Sequence, residues 1–328
     1  MNAFPHIGVA GAGAWGVALA MAAASGGRRV TLWGRDVAQM AGWRDSRRGA
    51  RLPGAELAAG IAPTSGFSDL APCDAILIAC PAQTTREIAG RLAPLGRPRP
   101  LVICAKGIEA VSHRFLSEVV AEAAPGWPRA VLSGPSFAAD VARGLPTAVT
   151  LAAESNGLAI ALAEALRAPN LRLYHSTDVR GVELGGAAKN VLAIGCGVAS
   201  GLGLGASASA ALIARGFAEL RRFGEAFGAK PHTLMGLSGL GDLVLTCSSE
   251  QSRNFAFGVA LGRGENPAAA SGGKLAEGAA TAAALIALAR EKRLEMPISA
   301  TVEALIAGRI EAKAAVSALL ARPQRGEA

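Results

Sequence analysis

Residues Ile7-Gly8-Val9-Ala10 form an apolar run that ends in Gly11-Ala12-Gly13-Ala14-Trp15-Gly16, and an alanine-rich segment of helical spacing continues to Ser25. A strand, a glycine turn and a helix in that order open a βαβ unit, and the turn reads G-x-G-x-x-G. Gly11 permits the tight turn and Gly13 lets the backbone approach a pyrophosphate. Gly16 lets the helix pack on the sheet, with its N-terminus aimed at the phosphates. A plain tight turn is the competing reading of these six residues alone. Their place inside a βαβ unit favours a dinucleotide site.

Working outward, Arg29–Trp33 reads as the second strand, and Trp33-Gly34-Arg35-Asp36 falls where the residue that reads the adenosine ribose belongs. Arg35 stands in place of the usual carboxylate and suits a 2′-phosphate, which favours NADP; Asp36 beside it keeps NAD in play. A solvated turn with a helix cap would look the same. Residues 75–79 (Ala-Ile-Leu-Ile-Ala) and 101–104 are continuous apolar runs, as expected of strands covered on both faces. Strands at 129–132, 147–152 and 171–174 complete the series, with helices at 84–93 and 156–167 between them. Residues 44–65, rich in Arg, Gly and Pro, read as irregular. Alternation of this kind predicts an α/β, doubly wound, mostly parallel, Rossmann-like sheet over residues 1–177. From Asp178, an N-cap candidate, helical periodicity takes over. The spacing predicts a long helix through Val198 and a further one capped by Ser207 or Ser209, so 178–328 reads as an all-helical C-terminal domain.

Composition agrees with a large buried core. The 328 residues are 51% hydrophobic and 18% charged, which excludes a disordered chain, and the glycines lack the period of collagen. The formal charge is +8 and the pI near 9.8, which attracts anions. The basic residues are scattered, however. Arg44, Arg47, Arg48 and Arg51 form the one dense cluster, without an aromatic platform and with no role readable from sequence, so no nucleic-acid partner is expected. Five widely spaced cysteines with no CxxC pair argue against a disulfide framework or a zinc site, and for a reducing compartment. No signal-peptide pattern and no long uncharged apolar stretch is read, so the expectation is a cytoplasmic chain without membrane insertion.

Candidates for chemistry follow the strands. Lys106, in Cys104-Ala105-Lys106-Gly107, lies just after a strand, at the carboxyl edge where such sheets bind ligands. Lys189 follows Gly185-Gly186-Ala187-Ala188 within the long helix. Small neighbours allow close approach, and burial beside a second cation would bring its pKa toward neutrality, as an acid–base group requires; a lysine that snorkels to solvent is the alternative. Gly239-Leu240-Gly241-Asp242 delivers a carboxylate that reads equally as a helix cap or a catalytic partner. Gln251-Ser252-Arg253-Asn254 reads as a helix start suited to a phosphate, or as ordinary surface.

Together these segments, with Ser133-Gly134-Pro135-Ser136-Phe137-Ala138, closely resemble the bacterial NAD(P)-dependent sn-glycerol-3-phosphate dehydrogenases from residue 6 to about 310. The resemblance implies reversible reduction of dihydroxyacetone phosphate to sn-glycerol 3-phosphate for phospholipid synthesis. It implies that Lys189 exchanges the proton at the substrate oxygen. Lys106 would touch both cofactor and substrate, and Asp242 would order Lys189. Ser252, Arg253 and Asn254 would hold the substrate phosphate, with Gly134 and Ser136 lining the pocket. Ala14, Trp15, Arg35, Ala138, Arg253, Leu275 and Glu277 match family cofactor contacts. The chain departs from the family pattern at Ala206-Ser207-Ala208-Ser209, at Phe255-Ala256 and at Leu275-Ala276-Glu277-Gly278, which bears on phosphate affinity and cofactor preference more than on the reaction. A related two-domain hydroxy-acid dehydrogenase, or a non-catalytic NADP-sensing protein, are the rival expectations. The Ala-rich helical half suggests a homodimer.

Overall fold

Eight short segments pair into one sheet in the computed structural model, which describes residues 4–271 and 276–321. They are β1 (His6–Ala10), β2 (Arg29–Trp33), β3 (Ile61–Thr64), β4 (Ala75–Ile78), β5 (Leu101–Ile103), β6 (Arg129–Ser133), β7 (Thr147–Ala153) and β8 (Leu171–Ser176). The order is β3-β2-β1-β4-β5-β6-β7-β8, and every pair is parallel except β6–β7. Helices α1 (Ala14–Ser25), α2 (Val37–Ser46), α3 (Thr85–Leu92), α4 (Leu116–Ala123), α5 (Ala138–Ala142) and α6 (Asn156–Leu166) connect the strands. Separate clusters of buried residues cover the sheet: Ile7, Val9, Leu77 and Val102 belong to one, Ile76, Ile78, Leu101 and Ile103 to the other. Alternate residues of one strand therefore serve opposite faces, and each such side chain contributes about 1.5–3 kcal/mol through burial.

The predicted irregular stretch is more ordered than expected. β3 sits at the sheet edge, where Pro63 costs no ladder hydrogen bond to an outer neighbour. Arg47 organises the loop before it. In a left-handed conformation at the end of α2 (φ 60°), it donates to the carbonyls of Leu57, Ala58 and Ile61, while Arg48 pairs with Glu56 at 2.7 Å. Two arginines of the dense cluster are thus loop fasteners.

Beyond β8 the chain is helical: α7 (Val179–Gly201), α8 (Gly205–Ala226), α9 (Pro231–Leu234), α10 (Asp242–Cys247), α11 (Arg253–Gly262), α12 (Pro267–Ser271), α13 (Glu277–Glu291), α14 (Pro297–Ile306) and α15 (Ala312–Leu320). Asp178 caps α7 as predicted, accepting from the Gly181 N–H at 2.9 Å. Neither Ser207 nor Ser209 caps α8. Gly203 and Gly205, both at positive φ, turn the chain so that Leu204 is the N-cap, three residues before Ser207, which leaves both serines inside the helix. α7 is long and apolar enough to cross a membrane, but 94% of its apolar window is buried, which is the signature of a core helix. Ile108 and Phe115, from the segment after β5, belong to the helical core rather than to the sheet's. The loop that carries Lys106 is thereby gripped between the two layers of structure.

Candidate active site

The order of strands reverses between β1 and β4, and the glycine turn lies at their carboxyl ends. Gly11 has φ 124°, and a Cβ there would fall 2.7 Å from the Ala79 carbonyl; one on Gly16 would fall 1.8 Å from the Gly11 carbonyl. These two glycines are required by packing. Gly13 is different: an added Cβ would meet nothing within 4 Å, so open space lies above it. No side chain caps the N-terminus of α1, and the Trp15 Nε1 is buried without a partner. Free N–H groups under an open glycine suit a pyrophosphate. At the end of β2, Arg35 is exposed with no hydrogen bond or ion pair among the described residues. Asp36 caps α2 by accepting from the Gln39 N–H at 2.9 Å, and the Gln39 side chain donates to the Ala12 carbonyl at 3.0 Å.

A triad of two lysines and an aspartate lies where the sheet meets the helical layer, with Lys106 half-buried and the other two buried. The Asp242 carboxylate binds Lys106 Nζ through Oδ2 at 2.6 Å and Lys189 Nζ through Oδ1 at 2.8 Å. Lys106 also donates to the Gly134 carbonyl at 3.0 Å, and Lys189 to the Thr246 hydroxyl at 2.5 Å. Lys189 is 5% exposed and Asp242 1%. Burial lowers the Lys189 pKa, and Lys106 lowers it further against the opposing pull of Asp242, so that it comes down to about 8. Burial pushes the Asp242 carboxyl up, but the two ammonium groups outweigh it and hold it below its ordinary value.

Backbone proximity creates this triad. A Cβ on Gly185 would lie 2.4 Å from the Ser238 carbonyl, and one on Gly239 would lie 1.9 Å from the Leu234 carbonyl. The π-helical turn Leu237–Gly241 therefore lies flat on α7 and delivers Asp242 at the start of α10. A Cβ on Gly186 would crowd both the Ser133 hydroxyl, at 2.6 Å, and the Lys106 stem, at 3.2 Å.

The Ser252–Asn254 segment opens α11. Ser252 is its N-cap, accepting from the Phe255 N–H at 3.2 Å, while Arg253 is exposed with no hydrogen bond or ion pair among the described residues. Gly197 of α7 faces Gly258 of α11, and Gly201 faces Gly262, so the two helices run parallel in close contact. In that register Arg253 lies about 5 Å further along the helix axis than Lys189, at 1.5 Å per residue. Asn254 Oδ1 accepts from the Gly278 N–H at 2.9 Å, which brings the N-terminus of α13 beside that of α11. Two positive helix ends and Arg253 then gather near one another. Glu277 opens α13; its Oε2 is buried without a partner, and burial raises its carboxyl pKa against the weaker pull of Arg253. Ala138 begins α5, and the Ser136 hydroxyl donates to the Gly134 carbonyl at 3.0 Å. Leu275 lies outside the described residues.

Two members of this site were missed in the sequence. Thr246, one turn after Asp242, bridges Lys189 and Asp242, its hydroxyl 3.2 Å from Asp242 Oδ1; the i, i+4 spacing was the available signal. Asn190 Nδ2 donates to the Lys106 carbonyl at 3.4 Å, a contact between α7 and the β5 loop that no local pattern encodes.

Comparison with known proteins matches two family models, the N-terminus of NAD-dependent glycerol-3-phosphate dehydrogenase over residues 6–159 and its C-terminus over 178–317. The chain belongs to this family. It is 60% identical over 333 residues to the glycerol-3-phosphate dehydrogenase [NAD(P)+] of Azorhizobium caulinodans, with all of both chains covered. To the protein of that name from Methylobacterium radiotolerans it is 58% identical over 330 residues, covering 100% of this chain and 99% of the other. The crystal structure of glycerol-3-phosphate dehydrogenase from Coxiella burnetii superimposes with a TM-score of 0.93 at 38% identity, covering 97% of this chain and 99% of that one. The dehydrogenase fold, with its eight-stranded mostly parallel sheet and helical C-terminal layer, is the one expected from the glycine turn outward.

Proposed function

We propose that the chain reduces dihydroxyacetone phosphate to sn-glycerol 3-phosphate with NAD(P)H, reversibly, and that Lys189 is its acid–base group. The observation that carries this is the pair of ammonium groups, one buried and one half-buried, on one buried carboxylate, set at the carboxyl edge of a dinucleotide-binding sheet. Bound NAD(P)H supplies the hydride. Gly11, Gly13, Ala14, Trp15, Gly16 and Arg35 hold the nucleotide end, with Ala138 and Glu277 toward the reacting end; the open space over Gly13 and the unpartnered Trp15 Nε1 fit that group.

Negative charge grows on the ketone oxygen as its carbon accepts the hydride. The Lys189 ammonium stabilises that charge and then gives up its proton to the oxygen, forming the hydroxyl. With a pKa near 8 it is mostly charged at neutral pH and accessible as a neutral base for the reverse oxidation. Asp242 orients both lysines and Thr246 fixes the Lys189 rotamer. Lys106, less buried than Lys189, faces cofactor and substrate together. Arg253 and Asn254 hold the phosphate beside two helix N-termini, Ser252 shapes that turn, and Gly134 and Ser136 line the pocket. Binding energy from the phosphate positions the distant carbonyl.

Residues 1–177 are read as the cofactor unit and 178–328 as the substrate unit, joined at the cap of α7. A second copy of the chain as partner, and a reducing cytoplasm in which the five free thiols stay reduced, complete the reading. The test is turnover: dihydroxyacetone phosphate should consume NADPH, and NADH less well, while 2-keto acids of similar size consume neither. Turnover of a keto acid in preference to the phosphate would replace this reading with the hydroxy-acid dehydrogenase, and bound NADPH without any turnover would support the sensing protein.

A further inference from the structure

Lys106 lies in the loop between β5 and α4 and is followed by a glycine, so its own strand does not hold its ammonium against Asp242. The loop is closed on itself by the Glu109 N–H, which donates to the Arg114 carbonyl at 3.0 Å, and by the His113 N–H, which donates to the Glu109 carbonyl at 2.9 Å. The groups on either side of Glu109 are taken by one side chain from another element. Gln83, in the tight turn Ala82–Thr84 that leads into α3, donates through Nε2 to the Ile108 carbonyl at 2.9 Å and accepts at Oε1 from the Ala110 N–H at 2.8 Å. Its amide satisfies that backbone as a neighbouring strand would. Arg86, in the first turn of α3, grips the Glu109 carboxylate with two bonds, Nε to Oε1 at 2.9 Å and Nη2 to Oε2 at 2.7 Å. Ser112 donates to the same carboxylate, and Glu109 is only 7% exposed. Beside this clasp, a Cβ on Gly107 would fall 2.8 Å from the Ala82 Cβ, so the residue after Lys106 is pressed onto the same turn.

Resting on the roles given to Lys106 and Lys189 above, we propose that Gln83, Arg86 and Glu109 are positioning residues of the reaction, locking the Lys106 loop onto the β4–α3 turn so that the Lys106 ammonium stays on Asp242 and shares that carboxylate with Lys189. Each acts through the backbone of the loop. The titratable groups that face Lys189 are Asp242, Lys106 and the Cys247 thiol; the thiol is pushed up by its Cys196 neighbour and by burial and stays neutral. Lys106 lowers the Lys189 pKa and Asp242 raises it. A loosened loop lets Lys106 retreat, which weakens the repulsion and leaves the carboxylate to Lys189 alone, so Lys189 should hold its proton to higher pH. The clasp itself does not titrate in that range, because Arg86 holds the Glu109 carboxyl below its ordinary value against the opposing effect of burial.

Two variants loosen the loop by different routes. Gln83→Ala opens the backbone clasp without stranding a charge, and Glu109→Gln keeps the shape of the side chain but weakens the hold of Arg86. The experiment measures the pH dependence of kcat for NADPH oxidation by dihydroxyacetone phosphate in the full chain, wild type and both variants, beside thermal unfolding. In the same preparations, acylation of Lys106 by acetic anhydride is followed by mass spectrometry, with the exposed Lys230 as internal reference. In both variants the break near pH 8 should move up by about one pH unit, and Lys106 should be acylated severalfold faster relative to Lys230. A variant that is merely less stable loses rate at every pH with its break in place. That result, with Lys106 labelled as in wild type, overturns the proposal, and for a variant too slow to titrate the labelling decides. A wild type with no break near pH 8 removes the role given to Lys189 and takes the proposal with it, whereas a wild-type break that the variants share overturns the clasp alone.

Discussion

Replacing Asp242 by asparagine removes the one negative charge between two ammonium groups, the half-buried Lys106 at 2.6 Å and the buried Lys189 at 2.8 Å. Unit charges about 3 Å apart interact by about 5 kcal/mol at an effective dielectric of about 20. Taking about half of that, to allow for the amide dipole and local rearrangement, leaves about 2–3 kcal/mol favouring the charged form of Lys189, or about two pH units at 1.4 kcal/mol each. The Lys189 pKa should then fall from about 8 to about 6. In the wild-type protein the rate of ketone reduction should level off below about pH 8 and fall tenfold per pH unit above it. In Asp242→Asn the same break should appear near pH 6, so near pH 7.5 the smaller protonated fraction alone costs about twenty- to thirtyfold. The assay is the pH dependence of kcat for NADPH oxidation by dihydroxyacetone phosphate, with circular dichroism as a check on folding. Partial recovery of the variant's rate on acidification separates loss of protonation from loss of structure. A variant that is slow at every pH, with its break still near pH 8, would refute the assignment of the titrating group.

Two further outcomes follow from the packing. Gly185→Ala places a methyl 2.4 Å from the Ser238 carbonyl and must lift the π-helical turn off α7; thermal unfolding should report a loss of about 1–3 kcal/mol, and kcat should fall with it as Asp242 is drawn from Lys189. Wild-type stability with full activity would show that the turn has slack. At the other end of the sheet, burial and then the Arg29 charge lower the His6 pKa from 6.5. The unfolded chain therefore takes up a proton near pH 6.5 that the folded one refuses, so this contribution to stability is complete above that pH and is lost as pH falls below it. Denaturant midpoints measured from about pH 7 downward should fall less steeply in His6→Gln, and an identical slope would remove His6 from the account.

Much of this architecture was legible because its signals are local. The glycine turn, the fully apolar strands β4 and β5 and the Asp178 cap each depend on neighbours within a few residues, and each formed where expected. β3 was hidden by Pro63, which argues against a strand unless the strand lies at an edge, and edge position is a property of the whole sheet. The Arg44–Arg51 cluster had no role readable from sequence because the three carbonyls that Arg47 fastens lie ten or more residues away. Ser207 and Ser209 carried cap chemistry, but the preceding glycine turn set the start of α8 before either could act. In the site, Lys106, Lys189 and Asp242 stand apart in the chain, and it was the family resemblance, not any local pattern, that joined Asp242 to Lys189 before the fold brought the β5 loop, α7 and α10 to one point. Thr246 was overlooked for the same reason, since its role exists only once Lys189 faces α10.

The most direct trial of the account is the rate of hydride transfer in Lys189→Ala under saturating NADPH and dihydroxyacetone phosphate, measured beside NADPH affinity in the same preparation. Loss of a general acid that also stabilises the oxyanion should slow turnover by about a thousandfold, within the usual span of such removals, and leave the affinity for NADPH within a few-fold of wild type. A variant that reduces the ketone at more than about a tenth of the native rate would mean that another group supplies the proton, and the role given to the triad would be wrong.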